Sequence, residues 1–336
     1  MNLIDSVAQC HTPLVVRDHT SGRVTALNNT ADCGALVARC PLRYVLSDDL
    51  TRLCAELAYS KGARTIACAD LLHIPAEALW MEWCNAPWNK ALQQYGFPLV
   101  EAGAQWVGRR GAWIRATRDG RRGLVRTFWS VPAGEVLASS VEAYFDLDTT
   151  TGAEPHPLDG EPGLAGRVID SDSVDDLLGR CFRFRYEQSW SEYYESAGLA
   201  REQSFALWRH AVGTIAMDIP MLLAFFLLLA TRSGLPQRVQ TLEQLNRRRL
   251  RGGKAPLLEH IEVTAPLLPE YRDYQHSEPF ASRKSPRLHH VRGHLVRRGS
   301  LIFWRVPHLR GSARAGAVGT RTVTWTFARG AAGRIH

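Results

Sequence analysis

The stretch AWIRATRDGRRGLVRTFWSV, residues 112–131, decides how this chain folds. Two runs rich in aromatic and β-branched residues flank the segment Arg118–Gly123, which holds two glycines, an aspartate and arginines. Such runs around such a segment read as two strands and their turn. The pattern repeats outward. ALWMEWC (78–84) and AGAQWVG (102–108) precede the stretch, and SVEAYFDLD (140–148) follows it. Gly-containing turns at Arg109–Gly111 and Arg118–Gly123 separate the middle strands, and the whole reads as an antiparallel meander. Seven arginines fall between Arg109 and Arg126 against one acid, Asp119. They fit solvated turn charges, or a second part of a nucleic-acid surface.

On the N-terminal side, residues 1–30 read as an irregular arm. Ser47-Asp48-Asp49 then caps a helix in which Leu50, Leu53, Cys54, Leu57 and Ala58 recur at helical spacing. The Lys61-Gly62 step ends it. On the C-terminal side, residues 149–172 read as a loop rich in Gly, Pro, Asp and Thr. Ser173 or Asp172 caps a helix through Cys181, and residues 199–212 and 217–231 form two further helices. Leu242–Leu250 is a short helix that runs into RRRLRGGK (247–254). The apolar run IPMLLAFFLLLA (219–230) is twelve residues long. A span needs about 20 residues, nearly all apolar. The run already contains Pro220 and extension toward Ala211 brings in Asp218, so a buried core helix is expected.

Charge divides the chain. No acid follows Glu278, and twelve Lys or Arg residues lie between Phe280 and His336. The preceding residues hold 29 basic against 33 acidic side chains, so the tail carries the whole positive excess. That asymmetry points to a polyanion, or to an acidic patch on another protein. The seven cysteines are odd in number and lack any CxxC pair. They fit neither a disulfide framework nor a zinc knuckle and are expected as free thiols in a reducing cytoplasm. The first residues carry no signal-peptide pattern.

The fold class expected is therefore α+β: an antiparallel β-meander with a helical half, plus a C-terminal basic β-hairpin module. The divisions are the arm 1–30, a body 31–275, a linker 276–286 and the basic β module 287–336.

RLHHVRGHLVRRGSLIFWRVPHLRG (287–311) carries the strongest chemical signal. It alternates as two strands around an Arg298-Gly299 turn. That register sets Arg297 opposite Ser300, Leu295 opposite Ile302, Gly293 opposite Trp304 and Arg292 opposite Arg305. One face gathers Val291, Gly293, Leu295, Ile302, Trp304 and Val306. The other carries His290, Arg292, His294, Phe303 and Arg305. GTRTVTWTFA (319–328) reads as a further strand. Like charges across strands repel, and an anion between them reverses the sign. The RNA-contacting set is Arg287, His290, Arg292, His294, Arg297, Arg298, Phe303, Arg305, His308 and Arg310. Arginine supplies bidentate phosphate contacts, and an aromatic ring supplies stacking. An edge sheet using charge to avoid aggregation is the plainer alternative.

Metal and cofactor chemistry find no pattern. His290 and His294 are about 13 Å apart on a strand, and no Cys or carboxylate lies nearby to complete a site. No Walker loop, HExxH or GxSxG occurs. Metal-independent RNA cleavage is the enzymatic alternative, with His294 and His308 as acid and base beside Arg292 or Arg305.

The tail resembles the C-terminus of a family of phage, plasmid and bacterial proteins that includes a type V-A anti-CRISPR protein. The residues that carry the resemblance are Arg292, Gly293, His294, Trp304, Arg305, Pro307 and Arg310; Leu295 departs from it. LVRTFWSV (124–131), EAYFDLDTTTG (142–152), SVDDLLGRC (173–181) and MLLAFFLLLA (221–230) fall in the family's order. The resemblance implies recognition of a nascent N-terminal peptide and loss of the message for a CRISPR effector nuclease. In that scheme the body supplies a peptide groove and the tail faces RNA or the ribosome. A module that docks an acidic protein is the remaining alternative.

Overall fold

The computed structural model describes residues 2–10, 14–17, 24–27, 29–60, 68–94, 108–130, 136–148, 181–187, 190, 193, 201–232, 234–266, 287–291, 294–305, 308–310 and 312–317. The chain forms two compact units. Met1–Pro266 with Leu295–Trp304 make the first, and Leu267–His294 with Arg305–His336 make the second.

The first unit is built on one mixed sheet. Its antiparallel part is the expected meander: β4 (Ala78–Cys84), β5 (Arg109–Ala116), β6 (Arg122–Ser130) and β8 (Val141–Asp146), continued by β9 (Phe182–Tyr186). Within it Trp80 pairs with Trp113, and Trp113 with Arg126. The short strand β7 (Val136–Ala138) also pairs with β6. On the other side of β4 the sheet changes sense. Here β3 (Leu42–Leu46) runs parallel both to β4 and to β11 (His260–Val263), and β10 (Gln237–Gln240) closes the edge antiparallel to β11. Fold class α+β therefore holds, with a parallel extension that no sequence alternation announced. A separate hairpin, β1 (Leu14–Arg17) and β2 (Val24–Leu27), lies between the first two helices in sequence.

Helices cover the sheet. α3 (Asp48–Ser60) starts at Ser47, whose Oγ accepts the Leu50 N–H at 3.3 Å. It buries Leu50, Cys54, Leu57 and Ala58, as the spacing requires. α4 (Asn85–Gln94) follows β4 directly. The two helices expected over 199–212 and 217–231 are one, α5 (Arg201–Leu229), with Pro220 inside it. An interior proline costs about 3 kcal/mol. The burial of Leu222, Phe225, Phe226 and Leu228 outweighs that cost. Residues 211–229 are apolar and long enough to cross a membrane, but 78% of that window is buried in the unit. α6 (Glu243–Arg251) buries none of its residues.

Two expectations are corrected by buried charge. Leu3–Ala8 of the expected irregular arm forms helix α1, with Leu3, Ile4 and Val7 in the core. Its first N–H groups donate to Glu82 of β4, Leu3 N at 3.2 Å and Ile4 N at 2.8 Å. Glu82 also accepts Trp80 Nε1 at 3.0 Å and Arg109 Nε at 2.7 Å, and is fully buried. A carboxylate at a helix N-terminus answers both orphan N–H groups and the helix dipole. The second correction concerns Arg109–Gly111, expected as a turn. These residues start β5, where Gly111 lies under the Trp80 ring. α1 and α2 (Asn29–Ala38) pack over this part of the sheet around Trp80, Trp113 and Phe128.

β13 (His294–Arg298) and β14 (Leu301–Arg305) pair as a hairpin. The turn is Gly299-Ser300, one residue later than expected, because Gly299 takes the positive φ of 60° that the turn needs. The faces survive this shift, since moving a two-residue turn by one position changes partners but keeps parity. Leu295, Ile302 and Trp304 are buried together as expected, while Arg297, Arg298 and Arg305 are exposed. The hairpin residues Leu295–Trp304 belong to the first unit, not to a tail module. The Ile302 carbonyl accepts the Arg232 N–H at 3.0 Å, just after α5.

In the second unit, β12 (Arg287–Val291) pairs antiparallel with β15 (His308–Arg310) and parallel with β16 (Ser312–Ala317). The expected strand 102–108, loop 149–172, helix through Cys181, linker 276–286 and strand 319–328 lie wholly or mostly outside the described residues.

Candidate functional site

β-strands send alternate side chains to opposite faces. One face of the meander meets α5: Ile114, Val125, Phe182, Ile219, Leu222 and Phe226 line a small apolar gap there. Among the described residues, the opposite face is only partly covered, by α1 and α2. Beyond them these residues line a groove of about 1450 Å³ on β5, β6, β8 and β9. Small-molecule pockets are typically ~300–1,000 Å³, so this one has room for a length of chain.

The groove is arginine-rich. Arg115, Arg118, Arg122, Arg183 and Arg185 line it with Trp113, Leu124 and Tyr144. The register explains the assembly: Leu124 sits beside both Arg115 and Tyr144, and Tyr144 beside Arg183. The Arg185 guanidinium stacks 4.1 Å from the Tyr144 ring centre. Tyr144 donates its hydroxyl to Glu142 at 2.9 Å. Arg122 reaches Asp146 at 3.3 Å while staying 58% exposed. Arg115 and Arg118 are exposed and, among the described residues, have no ion-pair partner.

Beneath the groove is a buried node. Arg126 bonds Glu142, lies 3.5 Å from Glu187, and donates to Cys33 Sγ at 2.7 Å. Burial alone would lower the Arg126 pKa, but Cys33 and Glu142 hold it above its ordinary value. Burial pushes the Cys33 thiol up, against the pull of Arg126. Cys40 is likewise raised by burial, to about 11. None of the seven cysteines is in a disulfide, and these two are poor nucleophiles.

The seven arginines of 109–126 thus divide into three kinds. Arg109, Arg110 and Arg126 are paired with buried acids, Glu82, Asp218 and Glu142 respectively. Arg121 binds Asp148 at 2.8 Å and the Leu72 and Leu147 carbonyls. Arg115, Arg118 and Arg122 face the groove. Neither solvated turn charge nor one continuous binding surface describes them all.

The sequence-derived RNA set is spread over both units. Arg297 forms a bidentate pair with Asp70, both bonds 2.7 Å. Arg298 lies 6.0 Å from the Phe303 ring centre, and Arg305 is exposed at the end of β14. His294 is half-buried on β13. In the second unit, backbone pairing sets His290 opposite Leu309, His289 opposite Arg310 and Val291 opposite His308, with Arg287 beside Ser312. Arg292 and Gly293 lie outside the described residues, and with them the expected Arg292–Arg305 and Gly293–Trp304 pairs. His294 and His308, the acid–base alternative, occupy strands of two different sheets. Among the described residues no three His, Cys, Asp or Glu gather as metal ligands.

Sequence reasoning missed Glu82, Asp218, Arg183 and Arg185. A lone carboxylate inside the otherwise apolar ALWMEWC signals a buried charge with a partner. FRFRY (182–186) alternates with period two, the mark of a strand with one arginine face.

These features define an α+β protein whose mixed sheet, among the described residues, carries an arginine-rich groove. No family model, curated protein or solved structure matches the chain.

Proposed function

We propose that this chain is a non-enzymatic regulator of the anti-CRISPR type its sequence resembles. It takes a nascent N-terminal peptide into the arginine-rich groove and holds RNA or the ribosome on its basic C-terminal strands. The outcome is lowered expression of a CRISPR effector nuclease, in the cytoplasm. The observation that carries this reading is the groove itself. It is chain-sized, it lies on paired strands, and it offers Arg115, Arg118 and Arg185 beside the flat ring of Tyr144. An extended peptide bearing carboxylates suits that lining, because guanidinium groups bind carboxylates in two-pronged fashion.

The test is a reporter message that begins with the first codons of a type V-A nuclease, co-expressed with this chain. Message level falls when the peptide is native or encoded by synonymous codons. It is restored when a compensated frameshift changes the peptide but barely changes the RNA. A message unaffected in every arm refutes the reading. Loss of purified, untranslated RNA on addition of the protein alone would instead favour the ribonuclease alternative through His294 and His308.

A further inference from the structure

The basic run RRRLRGGK, which the peptide and tail assignments leave unused, forms a defined surface in the first unit. α6 carries Arg247, Arg248, Arg249 and Arg251 within nine residues and buries none of them. A Schellman end follows: Gly253 N–H bonds the Leu250 carbonyl at 3.1 Å, and Lys254 N–H bonds that of Arg249 at 2.9 Å. Gly253 adopts the left-handed φ of 68° that this end requires. The helix is fastened by Asn246, whose side chain exchanges two 2.8 Å bonds with the Leu257 backbone. The next residue, Leu258, donates its N–H to Asp5 of α1 at 2.7 Å. The knob is therefore tied to the core of the unit although its helix buries nothing.

The arginines do different work. Arg247 pairs with Glu243, and Arg249 donates to the Ala255 carbonyl at 2.9 Å. Arg248, Arg251 and Lys254 are exposed and, among the described residues, lack an acidic partner. Arg247, Arg248 and Arg251 fall within about 100° around the axis and about 6 Å along it. Like charges this close repel by a few tenths of a kcal/mol per pair, and a surface built only for solubility would interleave acids. Leu245 and Leu250 are exposed but lie about 140° apart on the helix. They do not form the single apolar stripe that a membrane-surface helix presents.

We propose that α6 and its Gly252–Lys254 turn are a phosphate grip for RNA, with Arg248, Arg251 and Lys254 contacting the backbone independently of the C-terminal strands. This rests on the RNA reading above and places a second contact on the body that carries the groove.

The test is binding of full-length protein to a labelled single-stranded RNA of 20 nucleotides across a salt series. Three proteins are compared with the native chain: R248Q/R251Q/K254Q; R298Q/R305Q in the hairpin; and R52Q/K90Q as a remote-charge control. The α6 variant is expected to bind about tenfold more weakly at 0.1 M salt, with a log–log salt slope shallower by about 2, at ~0.7 per phosphate contact. Its thermal midpoint should match the native chain, because the altered side chains are exposed. Native affinity and slope in the α6 variant, with weakened binding in the hairpin variant, overturn the α6 contact and leave the RNA reading standing. An equal loss in the remote-charge control also overturns it, since net charge would then be the cause. If the native chain binds no RNA, both readings fall. Binding of anionic phosphatidylserine vesicles or poly-glutamate that α6 substitution abolishes, with RNA binding unchanged, assigns the knob to another partner.

Discussion

Arg110 Nη1 lies 3.1 Å from Asp218 Oδ1 and 3.2 Å from Oδ2, so a buried ion pair joins β5 to α5 across 108 positions of sequence. Arg110 also donates to Asn85 at 2.7 Å and stacks 4.3 Å from the Trp88 ring centre, drawing α4 into the same contact. Burial pushes the Asp218 carboxyl up to about 6, while Arg110 restrains the rise. The unfolded carboxyl takes its proton near 4. Between those values the folded chain holds the extra proton, so the Asp218 contribution to stability falls as pH rises. The stability difference between the native chain and Asp218→Asn should therefore decline from pH 4 to pH 6 and then level off, read by urea unfolding. Arg110→Met strands the carboxylate and should cost about 3 kcal/mol at pH 8. The cost should shrink at pH 5, where Asp218 can protonate.

Glu82 is the analogous node on the other face. Glu82→Gln leaves Arg109 without its buried acid and removes the charge facing the α1 N-terminus. Breaking a buried charged network of this kind costs about 3–5 kcal/mol. Hydrogen exchange should show residues 3–8 losing protection ahead of the meander strands. Equal protection in variant and native chain would sever the link between Glu82 and α1.

Gly111 lies against an aromatic ring rather than in a turn. A Cβ there would come within 2.4 Å of Trp80 Cζ2 and 3.2 Å of Leu3 Cδ2. Gly111→Ala should destabilise by about 1–3 kcal/mol through overpacking, measured as a lower denaturation midpoint at unchanged slope.

Within the hairpin, Arg297 and Arg298 should behave differently. Arg297 is committed to Asp70, whereas Arg298 has, among the described residues, only a loose ring contact with Phe303. Arg298→Gln should weaken RNA binding several-fold, and Arg297→Gln should change it little. The Arg297–Asp70 pair is exposed, 40% and 56%, so its loss should cost under ~1 kcal/mol. Equal effects on RNA would mean that phosphate displaces Asp70 from Arg297.

In the groove, Tyr144→Ala removes the platform on which Arg185 stacks. Affinity for an acidic nascent-chain peptide should fall about tenfold or more, with RNA affinity unchanged. Isothermal titration with peptide and RNA in parallel separates the two. Peptide binding that survives Tyr144→Ala and Arg185→Ala together places the peptide elsewhere.

What the sequence alone determined was local and periodic. Alternation located β4, β5, β6 and β8 to within a few residues. The Ser47 cap and the spacing from Leu50 to Ala58 located α3, and apolar density marked the end of α5 as core. Alternation also set the faces of the β13–β14 hairpin, though the turn slipped by one residue, because parity is insensitive to that slip. Tertiary structure decided which charges face water. Glu82 and Asp218 are ordinary acids in the sequence, and Arg109 and Arg110 look like turn residues until partners 27 and 108 positions away are brought to them. The parallel neighbours β3 and β11 and the groove itself arise the same way. A strand's own residues encode its two faces, but only the packing of distant segments decides which face is covered, which arginine is paired, and which is left open to a ligand.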